Sequence, residues 1–154
     1  MTANQILQAL AKPFPAERIH WRVGSTTRDN SKGMALAYLD SRDVQDRLDS
    51  VCGHLWQCRH EWSDGKRLAC AIGIKLGDEW VWRSDGAGDT QVEAEKGAFS
   101  GAFKRAAVQW GIGRYLYSVP SPWMPLEGRG FSKETQQNLT ERLDKWQAAK
   151  FGGE

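Results

Sequence analysis

Hydrophobic and polar residues alternate with a period of two through the middle of the chain, and the period lengthens on either side. Trp56, Cys58, His60 and Trp62 share one phase against Gln57, Arg59 and Glu61. After an Asp64-Gly65 step suited to a tight hairpin, Leu68, Cys70, Ile72, Ile74 and Leu76 alternate with Ala69, Ala71 and Gly73. Gly77-Asp78 then separates a third run, Trp80 to Arg83. Period two marks a strand with one face buried, and three such runs joined by turns predict an antiparallel meander.

Outside the middle the pattern is mixed. Asn4 to Ala11 reads as a short helix with Ile6, Leu7 and Leu10 on one face, ended by Pro13 and Pro15. Arg18 to Val23 alternates like a strand, the polar stretch GSTTRDNSKG reads as a loop or hairpin tip, and Ala35 to Leu39 reads as a returning strand. SRDVQDRLDSVCG is a helix with an acidic first turn, an apolar stripe of Val44, Leu48 and Val51, and Gly53 as its stop. Thr90 and Glu93 have capping-box spacing and start the principal helix, which runs through EAEKGAFSGAFKRAAVQW into a glycine-rich aromatic exit. Ser132 to Lys150 is amphipathic through Leu139, Leu143 and Trp146. The expected fold is α+β, a curled antiparallel meander packed on one main helix.

At 154 residues the chain suits one domain, 1–154, of a size that buries roughly 68–70% of its unfolded surface. A net charge of +2 is only mildly basic, so a nucleic-acid reading must rest on where the cations sit. No apolar run approaches a membrane span and the N-terminus lacks a secretory layout. Three cysteines without an export signal point to free thiols in a reducing cytoplasm.

Candidate chemistry falls in four places. In the principal helix, Phe99, Phe103, Ala106 and Trp110 form the expected core stripe, while Gly97, Gly101 and Lys104 form another row, with Arg105 one turn beyond Gly101. Two glycines inside a helix cost roughly 1 kcal/mol each relative to alanine, so something must approach closely: a packed strand or subunit, or a nucleic-acid backbone whose phosphates meet Lys104 and Arg105. Cys52, His54, Cys58 and His60 invite a zinc hypothesis, but their spacing lacks the two-residue knuckle, and buried thiols with a satisfied histidine are expected instead. Asp85, Asp89 and Glu95 could serve a Mg²⁺-dependent nuclease; Glu93 and Glu95, however, lie about 200° apart on a helix and cannot share an ion. The strand-loop-strand segment interleaves Arg18, His20, Arg22, Arg28 and Lys32 with Trp21 and Tyr38, which fits either single-stranded nucleic acid or a solvated hairpin. No phosphate-binding lysine accompanies DGAGD, so neither an ATP site nor another cofactor is expected.

The stretch E-A-E-K-G-A-F-S-G-A-F-K-R-A-A-V-Q-W-G-I-G-R-Y-L-Y resembles the signature helix and exit of the Rad-fifty-two family of single-strand annealing proteins in its short, phage-encoded form. A-Y-L-D-S-R-D-V-Q-D-R-L-D-S-V-C-G, the W-Q-C strand and an aspartate-glycine stretch before the helix match in order, so that the resemblance covers roughly residues 7–120, with a further helix at about 132–150. It implies a β-β-β-α core assembled into a ring, with single-stranded DNA in a basic groove. Lys104 and Arg105 match the family's groove lysine and arginine, and Arg22 and Tyr38 match a groove arginine and a hairpin tyrosine. Val108 stands where animal members carry another arginine, leaving Arg114, Lys32 or Arg28 to supply charge, and DGAGD replaces the lysines of an outer DNA site. Gly97 and Gly101 would let the helix sit tightly in the assembled wall. The expected protein is a cytoplasmic, ATP-independent DNA-annealing protein of recombination and repair, not an enzyme, working beside a single-strand binding protein and a recombination exonuclease. A Mg²⁺-dependent nuclease or resolvase and a purely structural ring are the competing readings.

Overall fold

In the computed structural model the elements run α1 (Ala3–Leu10), a 3₁₀ turn (Ala16–Arg18), β1 (His20–Thr26), β2 (Lys32–Tyr38), α2 (Ser41–Cys52), β3 (Trp56–Ser63), β4 (Arg67–Leu76), β5 (Glu79–Gly86), α3 (Ala94–Gln109), a second 3₁₀ turn (Arg114–Ser118), β6 (Trp123–Pro125) and α4 (Lys133–Phe151). The structure describes residues 1–63, 67–86 and 94–152, and every side chain among them except those of residues 63 and 94–96. The Asp64-Gly65 turn and the Thr90–Glu93 capping box lie outside the described residues. No described helix is long and apolar enough to cross a membrane.

The fold is α+β, but the antiparallel strands form two three-stranded sheets, ordered β1-β2-β6 and β3-β4-β5. The chain divides accordingly into two units, one of residues 1–12 and 40–114, the other of 13–39 and 115–154.

The first unit contains the expected meander followed by its helix. β4 is central, paired from Trp56↔Ile74 to Ser63↔Arg67 on one side and from Ala69↔Gly86 to Leu76↔Glu79 on the other. Its Leu68, Cys70, Ile72 and Ile74 are buried, as are Ala98, Ala102, Phe103, Ala106 and Ala107 of α3 and Trp110 just after it. Ala98, Ala102 and Ala106 recur every four residues, so one side of α3 is low enough for its backbone to approach the sheet closely. Phe99 is a correction to the expected core stripe: its side chain is 50% exposed. Phe103, Ala106 and Trp110 of that stripe are buried. Phe99, nearest the start of the helix, packs against the rings of His60 (centroids 5.0 Å apart) and Trp62 (6.1 Å), the latter itself exposed, and so stays half in solvent.

α1 and α2 belong to the same unit. Thr2 and Gln5 make a capping box on α1, and Asp40 and Asp43 make another on α2. Gly53, at φ +58°, ends α2 in a conformation that favours glycine. Arg47 of α2 donates to the carbonyls of Leu10 at 2.9 Å and Lys12 at 2.7 Å, satisfying the orphaned C-terminal carbonyls of α1. Val44 and Leu48 of the expected stripe are buried; Val51 is half-buried.

In the second unit β1 pairs with β2 (His20↔Tyr38, Arg22↔Leu36), and β2 pairs with β6 (Lys32↔Pro125, Met34↔Trp123). Ala35, Met124, Phe131 and Leu139 form its core, with Trp21, Val23 and Leu126 packed against them. Leu143 of α4 is also buried, and Trp146 is half-buried. The hairpin tip is organised by Asp29, which accepts from the Thr27 hydroxyl at 2.8 Å, the Ser31 hydroxyl at 2.8 Å and the Ser31 amide at 3.1 Å. Those donors, Ser31 first, hold the Asp29 carboxyl down at about 2.

Candidate nucleic-acid interface

The cations singled out from the sequence fall into two sets, one in each unit. Lys104, Arg105 and Arg114 belong to the first; Arg22, Arg28 and Lys32, with the ring of Tyr38, belong to the second.

On α3 the buried alanine row leaves positions 104 and 105 at the border of the packed face. Lys104 is half-buried and Arg105 exposed. The Arg105 Nε lies 3.7 Å from Asp85 Oδ1 on β5, with the arginine side chain 55% exposed and the aspartate 30%. An ion pair this open is worth about 0–1 kcal/mol, so it orients the guanidinium without consuming it. The second Asp85 oxygen accepts from Gln109 Nε2 at 3.3 Å.

Gln109 is also where the other arginines converge. Arg83 Nη1 donates to its carbonyl at 2.9 Å, and Arg114 Nη2 does so at 3.1 Å while Arg114 Nε and Nη2 reach the Val108 carbonyl at 3.0 and 2.6 Å. Arg83 in addition stands 4.5 Å over the Trp110 ring. Both guanidiniums satisfy unpaired carbonyls at the negative end of the helix dipole, and Gly111 and Gly113, at φ +91° and +73°, turn the chain back so that Arg114 can reach. Arg114 thus caps α3 with donors expected to meet phosphate. Arg83 went unnoticed in the sequence, although its phase was informative: it shares the helix-facing side of β5 with Val81 and Asp85, an unusual place for an arginine without a partner.

Gly97 and Gly101 have no neighbour: a Cβ built on either meets nothing within 4 Å among the described residues. The glycine row is thus open on its own side of α3, while the exposed Phe99 and Trp62 lie on another.

In the second unit Arg22 is exposed and shares a strand phase with His20, whose ring lies 5.3 Å from that of Tyr38. Arg28 and Lys32 are exposed at the Asp29-organised tip.

The metal hypotheses find little support. Among the described residues Cys52, His54, Cys58 and His60 do not gather into a metal-holding group. All three cysteines are free: Cys70 is buried, Cys52 half-buried and Cys58 exposed, the last against the expectation of buried thiols. Burial, then the neighbouring Cys58, pushes the Cys70 thiol up to about 12. Of the nuclease carboxylates only the Asp85 side chain is described, and it is engaged by Arg105 and Gln109; Asp89 and the Glu95 side chain lie outside the described residues.

Comparison with known proteins places this architecture. The family described as Rad52/22 double-strand break repair proteins matches residues 2–66 and 58–127. The single-stranded DNA-binding protein DdrA of Deinococcus deserti is 41% identical over 126 residues, covering 80% of this chain and 62% of the relative. DdrA of Deinococcus radiodurans is 38% identical over 125 residues, covering 80% and 60%. The matched region is therefore about three fifths of the length of these relatives. No solved structure matches the chain. With its signature helix, the meander before it and the family match spanning nearly the whole of both, the chain belongs to the Rad52/22 family of double-strand break repair proteins.

Proposed function

We propose that this protein binds single-stranded DNA and pairs complementary strands without ATP, in the repair and recombination of broken DNA. The observation that carries the reading is the exposed Arg105 beside Lys104 on the family's signature helix, held by a weak and replaceable carboxylate partner. A DNA phosphate can take the guanidinium in a short, bidentate, charge-assisted contact, whereas Asp85 approaches it only at 3.7 Å. Arg22, Tyr38, Arg28 and Lys32 add a ring and cations on the hairpin of the second unit. Two DdrA proteins named for single-stranded DNA binding support the ligand.

The mechanism is electrostatic and geometric: each subunit neutralises a few phosphates, and a ring of subunits sums them along an extended strand whose bases remain free to pair. Affinity then falls with salt at a logarithmic slope of about −0.7 per phosphate contacted. A single-strand binding protein and an exonuclease would supply and process the strands. The test mixes the protein with two complementary labelled oligonucleotides, without ATP or Mg²⁺, and follows duplex formation. Pairing faster than the spontaneous rate is expected; an unchanged rate with DNA bound would reduce the function to binding alone.

Ring assembly gives the open glycine row its purpose, because a neighbouring subunit can approach the helix backbone only where no Cβ intervenes. Gly101→Ala is then expected to do two opposite things. It stabilises the isolated subunit by about 1 kcal/mol through helix propensity, since the added methyl meets nothing within 4 Å. It also weakens self-association, measured by sedimentation. A variant more stable and equally assembled would remove the glycine row from the interface.

A further inference from the structure

The β3-β4-β5 sheet has a second face, turned away from α3. Its central strand contributes Ala69, Ala71, Gly73 and Lys75, a low floor with a cation at one end. Trp82, paired with Gly73, lies flat on that floor: a Cβ at Gly73 would come within 2.8 Å of three of its ring carbons. The Arg59 guanidinium stands 4.5 Å from the centre of the Trp82 ring. Trp80 is paired with Lys75, its ring 6.4 Å from that of Trp82 and inclined by 31°. It remains 39% exposed. The charged side chains of this phase among the described residues are Arg59, Arg67 and Lys75 against Glu61.

We propose that this face is a second binding surface for single-stranded nucleic acid, on which a base stacks against Trp80 while Lys75 and Arg59 meet the flanking phosphates. Three features favour that ligand. Trp82 is already sandwiched between the floor and Arg59, so it braces Trp80 instead of serving as the platform. The excess of cations suits a polyanion. The floor of alanine and glycine lacks the branched apolar side chains that seat a protein partner's anchor, whereas a flat ring beside cations suits any base, because every base has a π-face. The surface lies on the side of the sheet opposite α3, so it is separate from Lys104 and Arg105.

The test uses the full chain, fluorescein-labelled oligothymidylate and the same oligonucleotide carrying 5-iodouracil. Trp80→Ala is expected to weaken binding roughly tenfold or more, Trp80→Phe to retain most of the affinity, and photo-crosslinks in the parent protein to map to the peptide bearing Trp80. Unchanged affinity in Trp80→Ala, or crosslinks confined to other peptides, overturns the proposal. Loss of self-association in Trp80→Ala with DNA binding retained assigns the face to a second copy and overturns it too. This proposal and the α3 reading fail separately. An unaffected Trp80→Ala beside an inactive Lys104→Ala/Arg105→Ala pair leaves only the α3 site standing, and the converse leaves only this one.

Discussion

Replacing Lys104 and Arg105 together by alanine is expected to lower the affinity for single-stranded DNA at least about a hundredfold, because each charge-assisted contact contributes about 1.5–3 kcal/mol. The salt dependence should flatten in parallel, by about 0.7 in the logarithmic slope for every phosphate contact removed. Stability should hardly move. The ion pair that Arg105 gives up is largely exposed, and alanine suits a helix interior. Electrophoretic mobility shift at two salt concentrations, with far-UV circular dichroism on the same samples, reads both quantities. A folded double variant that binds as the parent does would place the groove elsewhere, with the hairpin cations Arg22, Arg28 and Lys32 the next to test. Asp85→Asn makes an internal contrast: it releases Arg105 from its carboxylate, so DNA binding should hold or tighten.

The largest effect on stability is expected at Trp110. Its side chain is 1% exposed, its Nε1 donates to the Ile72 carbonyl at 2.9 Å, and Arg83 covers the ring. Trp110→Ala should cost about 3–5 kcal/mol from the cavity, with a further penalty for the Ile72 carbonyl left unpaired. Against a total stability of about 5–15 kcal/mol, the first unit would lie near its unfolding threshold at room temperature. Urea unfolding followed by circular dichroism gives the midpoint. Trp110→Phe, which keeps a ring but not the donor, should fall between the two. A parent-like midpoint for Trp110→Ala would mean that the helix-to-sheet core is held elsewhere.

These two experiments address one short segment in two different ways, and its double character explains how far the sequence could be read. The strands of the meander were legible because residues 56–62, 68–76 and 80–83 each alternate with a period of two, and the observed pairing Cys58↔Ile72 and Ile74↔Val81 keeps those phases together. The second helix was legible from its apolar stripe and its glycine stop, and the last from its amphipathic spacing; their caps, Asp40 with Asp43 and Ser132 with Thr135, came only with the structure. β6 was not legible: Trp123–Pro125 is three residues beside prolines and carries no periodicity. It becomes a strand only because β2 offers an unpaired edge, and the proline is tolerated there. The single curled sheet expected from the pattern became two sheets for a related reason, since alternation tells which residues share a face but not which strands share an edge.

The site shows the same division. Lys104 and Arg105 were conspicuous as adjacent cations amid small residues, and a family resemblance attached a role to them. Arg114 read as a spare cation and is found bonded to the Val108 and Gln109 carbonyls; a residue five or six positions from its acceptor meets it only after two glycines with positive φ have turned the chain. Phe99 belonged by spacing to the buried stripe and lies half in solvent.

By itself, then, the sequence determined the strand phases, the glycine that ends α2 and the cations of the signature helix, because period, a glycine stop and local charge are properties of neighbouring residues. Tertiary structure alone decided which row of α3 meets the sheet, which arginines cap that helix, and that Trp80 and Trp82 stand with Arg59 and Lys75 on one open face. Those outcomes depend on how closely two backbones approach, and the approach is set by alanines and glycines whose small size no pattern of polarity records.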